Sequence, residues 1–155
     1  MNSNHHDWQQ VMEEEYKSLV ENDTWELTLL PKDCQVIGSR WVYKIKQNGN
    51  GMIEQFKAHF IVKGYSQDYG VDYDETFLPV FKLTSLRILL AIGAMLNLEI
   101  HQMDVKTAFL NGDIDMELYI HQPQGYEQRN DKGNELVCKL HKGLYGLKQA
   151  VCLWN

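Results

Sequence analysis

Ile37-Gly38-Ser39-Arg40-Trp41-Val42-Tyr43-Lys44-Ile45-Lys46, then Asn48-Gly49-Asn50-Gly51, then Ile53-Glu54-Gln55-Phe56-Lys57-Ala58-His59-Phe60-Ile61-Val62-Lys63: two alternating runs flank a turn. Side chains on a strand alternate between faces, so each run sorts itself into two rows. On the first, Trp41, Tyr43 and Ile45 fall on one face and Arg40, Val42, Lys44 and Lys46 on the other. On the second, Phe56, Ala58, Phe60 and Val62 oppose Gln55, Lys57, His59, Ile61 and Lys63. The Asn-Gly-Asn-Gly stretch supplies the residues that tolerate the positive φ of a tight turn. A long twisted hairpin follows, each strand carrying a basic row and an aromatic row. Whether the two basic rows share a face depends on a register that alternation alone leaves open.

Around this hairpin the sequence predicts further elements. Asp7 is positioned to cap a helix that buries Trp8, Met12, Tyr16, Leu19 and Val20, with Asn22-Asp23 at its end. Thr24 to Leu29 alternates as a short strand. After a loop over 64–79, Thr84 or Ser85 caps a helix to about Asn97, with Leu86, Leu89, Leu90, Gly93 and Ala94 at helical spacing. Gly93 inside that helix suggests close packing against a neighbour. Strands are expected over Leu98–Val105, Glu117–Ile120 and Leu136–Leu140, a turn at Asn111-Gly112, and a helix starting within Leu147–Trp154. The fold class is α+β, mostly antiparallel sheet with packed helices.

The chain has 155 residues, 44% of them hydrophobic, which is enough for one domain with a core and argues against disorder. No apolar run is long enough to span a bilayer, and the polar start does not resemble a secretory signal. Cys34, Cys138 and Cys152 lack metal-ligand spacing and read as reduced thiols of an intracellular protein. The net charge of −6 argues against a freestanding nucleic-acid binder. It conceals an asymmetry. Residues 1–31 carry seven carboxylates against Lys17, whereas residues 40–63 carry Arg40, Lys44, Lys46, Lys57 and Lys63 against Glu54 alone. The basic block is either a local anion site or a solvated hairpin.

Chemistry concentrates in Gln102-Met103-Asp104-Val105-Lys106-Thr107-Ala108-Phe109-Leu110-Asn111-Gly112. A carboxylate at the end of a buried apolar strand is costly unless paired or bound to a metal. Asp104 followed by Phe109 stands in order with Arg40–Lys46, Phe56-Lys57-Ala58, Val62–Gln67, Gly70–Phe77, Gln122-Pro123 with Gly125-Tyr126, and Leu144-Tyr145-Gly146-Leu147-Lys148-Gln149-Ala150. This series, from about Trp8 to Trp154, resembles the reverse transcriptase of copia-type long-terminal-repeat retrotransposons.

The resemblance implies the fingers hairpin and partial palm of a right-hand polymerase, with about 1–98 fingers-like and about 99–155 an incomplete palm. It implies template-directed nucleotidyl transfer by a two-metal mechanism, with RNA or DNA template–primer and deoxynucleoside triphosphates as partners and Mg²⁺ as cofactor. Asp104 matches the first metal carboxylate, and the Val105 backbone a neighbouring carbonyl ligand. Phe109 matches the aromatic gate beneath the sugar. Lys57 and Lys63, with Lys44 and Lys46, match the grip on the triphosphate. Arg40, Gly146 and Lys148 match nucleic-acid contacts. Three departures stand out. The downstream tyrosine-x-aspartate-aspartate strand is absent, as are the rest of the palm, the thumb and the ribonuclease H segments. His59 replaces a usual arginine, and Val151-Cys152 replaces a usual proline-arginine pair. The expectation is a catalytically incomplete polymerase fragment or, alternatively, a non-catalytic nucleic-acid- or nucleotide-binding relic.

Overall fold

The computed structural model describes residues 4–76, 82–103, 105 and 107–154. Asp104 and Lys106, and Phe77 at the end of the Gly70–Phe77 motif, lie outside the described residues. Helix α1 (His5–Glu21) leads into β1 (Trp25–Thr28), β2 (Val36–Ile37), β3 (Ser39–Gln47) and β4 (Ile53–Val62). Helix α2 (Leu83–Met95) follows, then β5 (Tyr119–Ile120), β6 (Val137–Leu140) and α3 (Ala150–Trp154). The expected α+β class is what forms.

The hairpin β3–β4 pairs antiparallel, with Trp41 opposite Phe60, Tyr43 opposite Ala58 and Lys44 opposite Lys57. Its turn is held by the Asn48 carboxamide, whose Oδ1 accepts from the Asn50 and Met52 amides at 3.0 Å, and by Gly51 at φ +76. The second sheet has the order β1-β6-β5-β2, antiparallel except for the β2–β5 pair. It draws strands from both sides of the division expected near residue 98.

Helix α1 lies along β4. Trp8 meets Tyr43 and Phe56 edge-on at 5.3 and 4.7 Å, and Tyr16 stacks on Tyr126 at 4.2 Å. Of the hairpin's aromatic row Ala58, Phe60 and Val62 are thereby buried, whereas Tyr43 and Ile45 nearer the turn stay exposed. Phe60, Leu118, Ile120, Leu144 and Val62 form the centre of the core with Leu19, Leu140 and Leu147. At the C-terminus of α1, Thr24 donates its buried hydroxyl to the Leu19 carbonyl at 2.6 Å, and Asn22 donates to Ser18 at 2.7 Å. Carbonyls orphaned by the end of the helix thus find partners. Cys138 is buried in this core, which pushes its thiol up to about 12 and keeps it protonated and inert at neutral pH.

Several local expectations are corrected. Asn4, not Asp7, precedes α1, and Asp7 sits in its first turn, where a carboxylate favours the helix dipole. Val20 is exposed rather than buried. Lys82 precedes α2, so Thr84 and Ser85 lie inside the helix. No strand forms over the described part of Leu98–Val105, residues 98–103 and 105. Its apolar pattern is strand-like, but a strand persists only where a neighbour takes its backbone hydrogen bonds. The neighbour expected of Gly93 is the chain that returns just after α2: a Cβ at Gly93 would stand 2.9 Å from Ile100.

Candidate nucleic-acid and nucleotide interface

The register resolves what alternation left open. Residues directly opposite each other in an antiparallel pair project to the same face. Arg40, Lys44 and Lys46 therefore share a face with Ile61, Lys57 and Gln55. The two basic rows form one surface, on the side opposite the aromatic row against which α1 packs, and α1 reaches it at His59 through Glu15. Lys44 and Lys57 sit across from each other, a like-charge arrangement that disfavours the hairpin unless an anion lies between or near them. Lys44, Lys46 and Arg40 are exposed, and Lys57 is half-buried.

The free edge of β4 is closed by specific groups. The Phe60 amide donates to Glu15 at 3.3 Å and the Val62 amide donates to the Tyr145 carbonyl at 2.8 Å. His59 also stands 3.3 Å from Glu15, so the residue that replaces the family's usual arginine is engaged by a carboxylate of α1.

Phe109 lies in a short 3-10 turn, Ala108–Asn111, entered through Thr107 at φ +52. Its half-buried ring packs on the core and meets Tyr145 edge-on at 4.6 Å. Tyr145 in turn lies 5.5 Å from His59. The end of the hairpin and Phe109 thus border one small cleft, with Glu15 and Leu144 in its wall.

Gly146 has φ +93, and a Cβ there would fall 2.1 Å from the Val62 carbonyl oxygen. A Cβ at Gly64 would in turn strike the Gly146 carbonyl oxygen. Glycine is required at both positions by the approach of two backbones, and Gly146 still has an exposed side. Lys148 is held within the protein. Its Nζ donates to the Gln67 carbonyl and to the Tyr73 hydroxyl, both at 3.0 Å, and lies 4.5 Å over the Tyr73 ring. Gln67 donates to Gln149 at 2.9 Å and accepts from the Lys148 amide at 2.8 Å. Gln149 donates to the Asp72 carbonyl at 2.9 Å. Both glutamines are buried. This network fastens the loop after β4 to the segment before α3. Both glutamines fall within motifs of the series, but contact across about eighty residues leaves no periodic trace that would pair them.

Val105 is exposed. Asp113 forms a backbone bridge to Lys142. Among the described residues no three His, Cys, Asp or Glu side chains are grouped to hold a metal ion. No described helix is long and apolar enough to cross a membrane.

A hairpin with a cationic face, fastened through its loops to a glycine-bearing turn, is an arrangement suited to a phosphate-rich ligand. The comparisons with known proteins agree in class. Residues 22–155 match the family described as "Reverse transcriptase (RNA-dependent DNA polymerase)", and the chain belongs to that family. It is 47% identical over 144 residues to the retrovirus-related Pol polyprotein from transposon TNT 1-94 of Nicotiana tabacum, covering 93% of this chain and 11% of that protein. It is 41% identical over 148 residues to the Pol polyprotein from transposon RE1 of Arabidopsis thaliana, and 40% to that from RE2. Those matches cover 95% of this chain and 10% of each relative. The chain is thus similar to one short part of copia-type Pol polyproteins. No solved structure matches it.

Proposed function

We propose that this chain contributes the phosphate-gripping fingers hairpin and the first metal carboxylate of an RNA-directed DNA polymerase. In this reading Lys44, Lys46, Lys57 and Lys63 meet phosphates of the incoming deoxynucleoside triphosphate, and Arg40 meets the template backbone. Each such contact is charge-assisted and stronger than a neutral hydrogen bond. Phe109 forms the floor beneath the sugar, where an aromatic ring crowds a 2′-hydroxyl. Gly146 lets the duplex approach on its exposed side. Lys148 acts mainly by holding Gln67 and Tyr73 in place, with its remaining donor capacity available to a phosphate. Asp104 and the Val105 carbonyl are the proposed Mg²⁺ ligands, and the ion when bound would offset charge on the reacting phosphate. No chemical step is assigned to this chain by itself. The right-hand arrangement of fingers and palm is part of the same proposal.

The observation that carries the reading is the register. It gathers the basic side chains of both strands on the face opposite the aromatic row that packs on α1. The test is fluorescence anisotropy with a labelled primer–template at several salt concentrations. Affinity is expected to fall steeply with salt, and Lys44→Ala with Lys57→Ala should reduce the log–log slope by about two, roughly one per lysine. An unchanged slope would remove the hairpin from the interface. A second reading is that the chain binds nucleic acid or nucleotide without catalysis. Primer extension by the chain alone would exclude it.

A further inference from the structure

The sequence holds three Asn-Gly pairs, Asn48-Gly49, Asn50-Gly51 and Asn111-Gly112. In such a pair the glycine nitrogen can attack the side-chain carbonyl carbon of asparagine, because glycine has no Cβ to hinder closure of a five-membered ring. The step needs a carboxamide free to turn, an amide nitrogen that can be released, and room at the glycine. The fold meets these needs differently at each pair. Asn111 is held on both sides. Its Nδ2 donates to the Thr107 and Ala108 carbonyls, both at 3.3 Å, and the Gly112 amide donates to the Phe109 carbonyl at 3.2 Å. Gly112 is also crowded, since a Cβ there would stand 2.6 Å from the Leu153 Cβ. Asn48 is half-buried, and its Oδ1 accepts from the Asn50 and Met52 amides at 3.0 Å. Turning that carboxamide would cost the hairpin turn both hydrogen bonds.

Asn50 and Gly51 differ on each count. Both are exposed at the tip of the hairpin. Among the described residues the Asn50 side chain has no hydrogen bond. The Gly51 amide is held by one bond, to the Asn48 carbonyl at 3.0 Å. A Cβ at Gly51 would meet nothing within 4 Å, so the ring has space to close. We propose that Asn50-Gly51 is a self-modification site, at which the turn converts asparagine to aspartate and isoaspartate. The Gly51 nitrogen bonds to the Asn50 Cγ, and its proton passes through solvent to Nδ2. The Cγ–Nδ2 bond breaks and Nδ2 leaves as ammonia. One water then opens the cyclic imide at either carbonyl, giving the α-linked or the β-linked acid. No oxidant or reductant takes part. Each event adds a carboxylate to a hairpin whose residues 40–63 carry Glu54 alone against five lysines and arginines. The β-linked product also lengthens the main chain by one atom inside the turn. The charge of the hairpin thus comes to depend on the age of the protein.

The experiment incubates the intact chain in mildly alkaline buffer and follows amide-to-acid conversion by mass spectrometry of tryptic peptides. Fragmentation of the peptide 47–57 separates Asn48 from Asn50. Conversion at Asn50 should be first order in time, should quicken as pH rises, and should run about tenfold or more faster than at Asn48 or Asn111. Unfolding in urea should bring the three rates close together, because the difference between them lies in the fold. Asn50→Gln, which would need a six-membered ring, should remove the fast phase and leave the hairpin folded. Equal rates at the three pairs of the folded chain, or faster conversion at Asn48 or Asn111, overturn the proposal. So does a fast phase that survives Asn50→Gln, or an Asn50 that stays intact while the urea-unfolded chain converts. The reaction requires neither nucleic acid nor metal, so its failure and failure of the polymerase reading are separable.

Discussion

The hairpin with its fastening loops and the helix α2 are both regular, both rich in apolar residues, and opposite in packing. In the first region Phe60, Val62, Leu144 and Leu147 are almost fully buried, and the Phe60, Val62 and Lys63 amides at the end of β4 find partners in Glu15, Tyr145 and Gly38. In the second, Leu83, Leu86, Ile88, Leu89, Leu90 and Ile92 are all exposed, and Met95 is 83% exposed. Gly93 is the one buried residue of that helix. A helix satisfies its backbone hydrogen bonds within itself, so α2 keeps them although its apolar side chains stay exposed. Its side chains have no such recourse, and a contiguous apolar surface of this kind is an association or aggregation surface. Secondary structure and burial are thus separate outcomes, and only the second requires partners distant in sequence.

That difference can be broken from either side. The largest effect is expected from Gly146→Ala, because the new Cβ meets the Val62 backbone and the residue has φ +93. A loss of about 4 kcal/mol or more in chemical denaturation is expected, enough to unfold a marginal domain. Phe60→Ala, at a fully buried position, should cost about 3–4 kcal/mol. Gln149→Ala leaves the buried Gln67 carboxamide short of a partner and should cost about 1–3 kcal/mol, with greater protease sensitivity in the loop over 64–76. Leu89→Lys, on the exposed α2 surface, should change stability by less than about 0.5 kcal/mol and lower the binding of an apolar fluorescent dye. A core-sized loss from Leu89→Lys would erase the contrast between the regions.

The hairpin was legible because alternation and turn chemistry are local, and each residue from Ile37 to Lys63 reports on its own neighbours. Its register was not, although it decides where Lys44 and Lys57 meet. Helix α2 was legible as a helix from its spacing. The same spacing does not tell whether anything covers Leu86, Leu89 and Leu90, because periodicity names a face and not its neighbour. The strand expected at Leu98–Val105 failed for the related reason that apolar content does not supply a pairing partner. The site was legible as a series of motifs. The Gln67–Gln149–Lys148–Tyr73 network was not, nor was the cleft that Lys63 and His121 line together, since each joins segments whose spacing carries no period. Asp104, the residue on which the chemistry of the family reading centres, lies outside the described residues, so its role rests on the motif alone.

Amide hydrogen exchange on the intact chain tests the contrast most directly, because it reads local opening along the whole backbone. Amides of Phe60, Val62, Leu140 and Leu147 should exchange slowest, near the rate set by global unfolding. Those of Ile88 to Met95 should exchange orders of magnitude faster, despite their helical hydrogen bonds. Equal protection in α2 and the hairpin would contradict the account.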